Sequence, residues 1–248
     1  MMFDLQSVEL RYGQTVALSE LDLKLTEGEQ VCLIGPSGAG KSSLLGLLNG
    51  RLPSTQGSVQ VQGLVLNEVA ASELRELRRG LAWIPQDLGL VPSLRVSQNV
   101  ACGAVGQKGF WGLLRSFLCM SSSEKEVIFG LLDRVGIGTK LFERLDHLSG
   151  GEQQRVAVAR ALYQKPRAIL ADEPVSAVDP ERARDLVALL TSLAREEGVT
   201  LVMSLHDVDL GREYFDRLIG LRDGRISFDG DPSEDEVREL YRLGGEPR

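Results

Sequence analysis

The apolar and polar positions of the chain fall into two alternating rhythms. Three short strands open it: "FDLQSVELRY" at 3–12, "LDLKL" at 21–25 and "EQVCLIG" at 29–35, separated by turn residues. Lys41 to Asn49 predicts a helix with Gly50 as its stop, and "GSVQVQG" at 57–63 alternates as a strand between glycines. "SELRELRR" at 72–79 reads as a short exposed helix and "GLAWIPQ" at 80–86 as a strand ended by Pro85. From Asp87 to Leu145 the strand signal fades. There Ser121 and Glu124 have capping-box spacing, and Val127, Ile128, Leu131, Leu132 and Val135 make a helical apolar stripe, so a mostly helical insert is expected.

The helix rhythm continues in "LSGGEQQRVAVARAL" at 148–162, where Ser149 and Glu152 again fit a capping box and Pro166 lies beyond the end. "RAILADE" at 167–173 and "VTLVMSL" at 199–205 are strands of the fully buried type. Between them "DPERARDLVALLTSLAREEG" at 179–198 predicts a helix with Asp179 as cap, Pro180 at its first position and Gly198 at its end. "RLIGLRDGRISFDG" at 217–230 predicts a hairpin turning at Asp223-Gly224, "EDEVRELYRL" at 234–243 a last helix, and "GGEPR" a frayed tail. Alternating β and α segments imply an α/β chain with a largely parallel sheet covered by helices. No internal repeat or low-complexity linker interrupts it.

Composition narrows the picture. With 248 residues, 43% apolar and 25% charged, the chain can build one large domain or two small ones around a real core. A net charge of -7 argues against a dedicated nucleic-acid binder. The three cysteines, Cys32, Cys102 and Cys119, lack metal-ligand spacing and suit a reducing compartment. "MMFDLQSVEL" does not have the pattern of a signal peptide. The nearest approach to a spanning segment, "GFWGLLRSFLCM", is short and carries Arg115, so membrane contact is expected through a partner or a surface.

Chemistry concentrates in a few places. "GPSGAGKS", Gly35 to Ser42, fits G-x-x-x-x-G-K-[ST] and lies between an apolar strand and a helix, as that motif requires. The backbone of Gly35, Pro36, Ser37, Gly38, Ala39, Gly40 and the first helical residues through Ser43 can curl around phosphate oxygens. Lys41 supplies a point charge between the outer phosphates, and Ser42 can hold Mg²⁺. Asp172 and Glu173 end an apolar strand, where ligands of parallel sheets bind. Alone the pair is a solvated acidic turn; beside a phosphate loop Asp172 can reach the Mg²⁺ shell and Glu173 can polarise an attacking water as general base. His206 ends another strand, either as a locally satisfied imidazole or as a contact to a γ-phosphate. Gln86 can place water or Mg²⁺. Tyr12 either packs on its sheet or stacks on a flat base, and His147 reads as a loop residue.

Ser149-Gly150-Gly151 leaves bare backbone N–H groups at the positive end of a helix, either an ordinary helix entry or a second anion socket. One phosphate loop already surrounds a triphosphate. A second socket is explained if it reaches a nucleotide held by another copy, two copies completing each other's sites head to tail.

The phosphate loop, Gln86, "LSGGEQQ", "ADEP", "SAVDP" and His206 occur in the order of an ABC-transporter ATP-binding subunit, which the chain resembles from Phe3 to about Gly230. The resemblance implies a P-loop NTPase core with an antiparallel β subdomain and a helical subdomain inserted at about 87–160, all in a single domain. It implies an ATP-sandwich dimer in which Ser149 and Gly151 touch the partner's γ-phosphate, Asp179 works across the interface and Tyr12 stacks on adenine. The segment Gln86 to Gly106 would dock a transmembrane permease subunit. An extracytoplasmic solute-binding protein would take part indirectly, and the chain would lie peripherally on the cytoplasmic face of the cell membrane. Val178 stands where the family usually has leucine, a conservative difference. "GFWGLLRSFL" and "SLHDVDLGREYFDRLIGLRDGRISFDG" are similar to the phosphonate-import branch. The expectation is an ATP-hydrolysing importer motor for phosphonates. The alternatives are another cargo, such as phosphate, phosphite, methionine or an exported lipoprotein, or a soluble ABC ATPase outside transport.

Overall fold

The computed structural model describes residues 1–176 and 178–242. The expected tail at 244–248, and the end of the last predicted helix, lie outside them. In chain order the elements are β1 (Phe3–Tyr12), β2 (Thr15–Leu25), β3 (Gln30–Ile34), α1 (Lys41–Leu48), β4 (Gln56–Val61), β5 (Leu64–Val65), α2 (Ala71–Arg79), β6 (Leu81–Ile84), α3 (Val96–Ala101), α4 (Val105–Leu118), α5 (Ser122–Arg134), α6 (Gly150–Tyr163), β7 (Ala168–Asp172), α7 (Pro180–Glu196), β8 (Thr200–Leu205), α8 (Val208–Tyr214), β9 (Arg217–Arg222), β10 (Arg225–Gly230) and α9 (Glu234–Tyr241). Short 3₁₀ turns at Cys102–Ala104, Gly138–Lys140 and Leu145–His147 connect some of the helices.

The strands form two sheets. β2-β1-β4-β5 is antiparallel, and β10-β9-β3-β8-β7-β6 is parallel from β9 to β6 with β10 antiparallel at one edge. Every residue of β3, β7 and β8 is buried, as parallel strands covered on both faces must be.

Side-chain alternation along these strands divides the interior in two. Cys32 and Ile34 of β3, Ile169 and Ala171 of β7, and Leu201, Met203 and Leu205 of β8 face a core shared with α3, α5, α6, α7 and α8. Val31 and Leu33, Ala168 and Leu170, and Val202 face a second core. There α1, through Leu44, Leu45, Leu47 and Leu48, packs with the antiparallel sheet. The parallel sheet is thus a wall between two cores, and α1 carries the end of the phosphate loop into one of them.

Local rules explain most element ends. Asn49 caps α1, and Gly50 follows at φ 66, the left-handed residue that closes a helix. Asp223 (φ 49) and Gly224 (φ 76) make the two-residue turn between β9 and β10 with both central residues at positive φ, as a type I′ hairpin requires. Asp179 caps α7 by accepting from the Arg182 amide at 3.1 Å.

Some expectations change. The capping box at Ser121 is half formed: Ser121 Oγ accepts from Glu124 N at 3.2 Å, but Glu124 Oε1 is taken by Ser116 Oγ at 2.8 Å, Tyr163 Oη at 3.0 Å and Lys108 Nζ. Of the α5 stripe, Ile128, Leu132 and Val135 enter the core, Leu131 packs at its border and Val127 faces outward, half exposed. β2 starts six residues before the expected strand, because Glu20 (φ 49) lets the chain kink and continue pairing with β1. Inside α4, Gly109 (φ 66, ψ 179) breaks the helix into two pieces.

Candidate functional site

The site grows from the carboxyl ends of β3, β7 and β8. β3 hands over to the loop Gly35–Gly40, which turns sharply into α1. Two of its glycines are fixed by close approach. A methyl group at Gly35 would lie 2.2 Å from the Leu221 carbonyl oxygen, and one at Gly40 (φ 106) 2.8 Å from the Ala17 carbonyl oxygen. The loop is pinned from the side by the Gly224 amide, which donates to the Ala39 carbonyl at 3.1 Å. Ser37, Gly38 and Ser42 are exposed, whereas Lys41 is 4% exposed. Its ammonium donates to the Gly35 carbonyl at 2.7 Å and the Pro36 carbonyl at 3.3 Å, so the cation is held inside the curl of the loop.

Lys41 Nζ also lies 3.4 Å from Glu173 Oε1, and on the same oxygen His206 Nε2 lies at 2.7 Å. The carboxylate is therefore bracketed by an ammonium and an imidazole. Beside it Asp172 Oδ1 accepts from Ser42 Oγ at 3.0 Å and from Ser204 Oγ at 2.9 Å, while the Glu173 amide donates to Ser204 Oγ at 2.9 Å. Ser204 is fully buried on β8 and ties the two acidic residues to one strand. Glu173 takes φ 46, an uncommon conformation for a side-chain-bearing residue, which bends the chain at the end of β7. A cavity of about 250 Å³ opens here, lined by Glu173, Ser176, Val178, Ser204, His206 and Asp207.

The remaining expected residues fall into place around this cluster or apart from it. Gln86, exposed at the end of β6, points its Nε2 to Ser176 Oγ at 3.5 Å, across to the loop that follows Glu173. Ser149 caps α6: its amide and hydroxyl both donate to Glu152 Oε2 at 2.8 Å, and its oxygen accepts from Glu152 N at 3.4 Å. These bonds from Ser149, backbone first, hold the Glu152 carboxyl below the usual glutamate range. A side chain at Gly150 would meet nothing within 4 Å, so the α6 N-terminus is bare backbone facing open space. Among the described residues no hydrogen bond joins Ser149–Gly151 to the phosphate loop of the same chain. Asp179 is half exposed, 3.2 Å from Arg182 Nε. Tyr12 is 50% exposed at the end of β1. His147 sits in a 3₁₀ turn with its ring 3.8 Å from Asp146.

Helix α6 connects the pieces. Gln154 donates to the Pro174 carbonyl at 2.9 Å, and Arg160 donates to the Leu88 and Gly89 carbonyls, each at 2.6 Å. The helix that begins at Ser149 therefore braces both the loop after Glu173 and the loop after Gln86. Two residues with evident roles escaped sequence reading. Ser204 is an inward serine in an apolar strand, and a polar residue within "VTLVMSL" was the available signal. Tyr241, whose hydroxyl reaches the His206 carbonyl at 2.9 Å, carried no signal in the sequence.

Comparison with known proteins gives the same grouping. Residues 18–176 match the family described as "ABC transporter". A phosphonates import ATP-binding protein of Pseudomonas syringae pv. syringae is 46% identical over 240 residues, 94% of this chain and 88% of that one. A protein of the same description from Anaeromyxobacter dehalogenans is 44% identical over 232 residues, and there the match spans 94% of this chain but 46% of the relative's length. A hypophosphite import ATP-binding protein of Stutzerimonas stutzeri is 40% identical over 96% of this chain and 70% of that one. Among solved structures, the ATP-binding cassette MJ0796, dimeric in a post-hydrolysis state with ADP and Pi, superposes with a TM-score of 0.79 at 30% identity, covering 94% of this chain and all of that one.

Proposed function

The chain belongs to the ABC transporter family, and from that premise we propose that it is the ATP-hydrolysing motor subunit of a membrane importer for phosphonates. The observation that carries the reading is the cluster at the sheet's edge. A buried lysine inside a glycine-rich loop, a carboxylate bracketed by that lysine and a histidine, and an aspartate bonded to the loop's serine all converge where a triphosphate would lie.

Each residue has a part in ATP hydrolysis. The amides of Gly35–Ser43 and the Lys41 ammonium hold the phosphates. Glu173 accepts the proton of the attacking water as general base, and the His206 imidazole holds that carboxylate and contacts the γ-phosphate. Ser42, Asp172 and Gln86 present hydroxyl, carboxylate and amide oxygens, the hard donors that Mg²⁺ prefers, and Asp172 Oδ1 and Ser42 Oγ already stand 3.0 Å apart. Bound there, Mg²⁺ would supply positive charge to offset that of the outer phosphates. Tyr12 stacks on the adenine.

The open α6 N-terminus at Ser149, Gly150 and Gly151 serves the nucleotide of a second copy, with Asp179 at the same interface. The whole chain works as one cassette, with 87–160 as its helical subdomain. No helix among the described residues is long and apolar enough to cross a membrane. Coupling to transport, on this reading, runs through permease subunits at the cytoplasmic face. Their docking place is the segment Gln86 to Gly106 of the helical subdomain. An extracytoplasmic solute-binding protein acts indirectly, by delivering solute to those permeases.

The cargo reading rests on the relatives named for phosphonates import, and the Stutzerimonas relative favours hypophosphite as a second reading. The test is uptake by cells carrying the chain or its Glu173→Gln variant with native partners, given labelled alkylphosphonates, hypophosphite, phosphite, phosphate and methionine. Loss of phosphonate uptake alone in the variant supports motor and cargo together. Loss of another solute keeps the motor and discards the cargo, and uptake independent of Glu173 discards both.

A further inference from the structure

Helix α9 has the sequence of an ordinary surface helix. Ser233 and Glu236 close its start with a capping box, and of its eight residues Leu240 is the buried one. Yet its last turn arrives at the phosphate edge. Tyr241 Oη donates to the His206 carbonyl at 2.9 Å. One hydroxyl thus ties α9 to the backbone of the residue whose imidazole lies 2.7 Å from Glu173 Oε1.

The helix is clamped to hold it there. Arg222 of β9 donates to the Glu239 carbonyl, to Glu239 Oε1 at 3.1 Å and to the Arg242 carbonyl at 3.2 Å. At the other end Arg212 of α8 meets Glu234 at 3.0 Å. Burial, then the neighbouring Cys32 and Asp207, pushes the Tyr241 hydroxyl up to about 12, so it remains a donor across the pH range in which ATPases work.

We propose that Tyr241 is a positioning residue for ATP hydrolysis: by fixing the His206 backbone, just past the end of β8, to α9, it sets the His206 imidazole on Glu173. The inference rests on the ATPase reading above. It assigns α9, at the far end of the chain from the phosphate loop, a share in the chemistry.

The experiment is single-turnover hydrolysis of Mg²⁺-ATP by the full-length chain, its Tyr241→Phe and His206→Ala variants and the double variant, with ATP affinity measured alongside. Tyr241→Phe keeps the ring and its packing and removes only the hydroxyl. It is expected to slow hydrolysis about fivefold with affinity changed less than about twofold, the scale of one hydrogen bond. In the His206→Ala background it is expected to add nothing, since a residue acting through His206 has nothing left to position. Arg222→Gln, which loosens α9 from outside the site, is expected to slow hydrolysis in the same His206-dependent way. Equal slowing in both backgrounds, or none in either, overturns the proposal. Absence of hydrolysis by the unsubstituted chain overturns the ATPase reading itself, so the two failures are told apart.

Discussion

Glu173 does two things that pull against each other. Its carboxylate is placed between Lys41 and His206, and its backbone is bent to φ 46 to put it there. Glu173→Gln keeps shape and polarity but removes the basic oxygen. Turnover is expected to fall by a hundredfold or more, roughly the worth of a general base, with ATP retained in a closed dimer. Phosphate release and bound-nucleotide content measure both, and hydrolysis at the wild-type rate would end the general-base assignment. Ser204 supports the same bend from beneath, through bonds to Asp172 Oδ1 and the Glu173 amide. Ser204→Ala leaves a buried amide and carboxylate one partner short, so urea unfolding is expected to show a loss of about 1–3 kcal/mol. A variant as stable as the parent would show that the serine is ornamental.

At the scale of elements, α6 is the brace, and its start is a capping box whose acid can be titrated. Folding lowers the Glu152 carboxyl through the Ser149 backbone and side chain, so the unfolded chain takes up the proton first as pH falls. The stabilisation is therefore fully present above the ordinary glutamate value and is lost as pH falls through the lowered folded-state value. The stability difference between the parent and Glu152→Ala, followed by denaturation at stepped pH, is expected to shrink over that acid window. A difference constant with pH would refute the link. This box was legible because its signal is local: a hydroxyl and a carboxylate three residues apart. The I′ hairpin at Asp223-Gly224, the buried strands and the Gly50 helix stop were legible for the same reason. Features decided by distant partners were not. Glu124 abandons its own box for Lys108, Ser116 and Tyr163, and Glu20 bends β2 to keep its register with β1. Of the site, the phosphate loop and the acidic pair could be read from spacing. The Ser204 and Tyr241 contacts could not, because they join residues 32 and 35 positions apart.

For the whole molecule, the bare α6 N-terminus is the feature that calls for a second copy. Ser149→Arg places a long cation where backbone should approach phosphate, while the phosphate loop of the same chain is untouched. ATP binding is expected to persist and ATP-dependent dimerisation to be lost, read by light scattering with and without nucleotide. Closure as in the parent would leave the Ser149–Gly151 opening without a purpose. The division of the interior by the parallel sheet has a different consequence, one for the history of the sequence. Val31 and Leu33 answer to the antiparallel layer, Cys32 and Ile34 to the helices, so neighbouring letters of one strand evolve under unrelated constraints. Pairs of core substitutions on one side of the wall should show epistasis, and pairs split across it should not, a contrast that double-mutant stability measurements can read. Lineages can then drift in the antiparallel layer and in the helical layer at separate tempos, with the sheet edge that carries Glu173 and His206 held still between them.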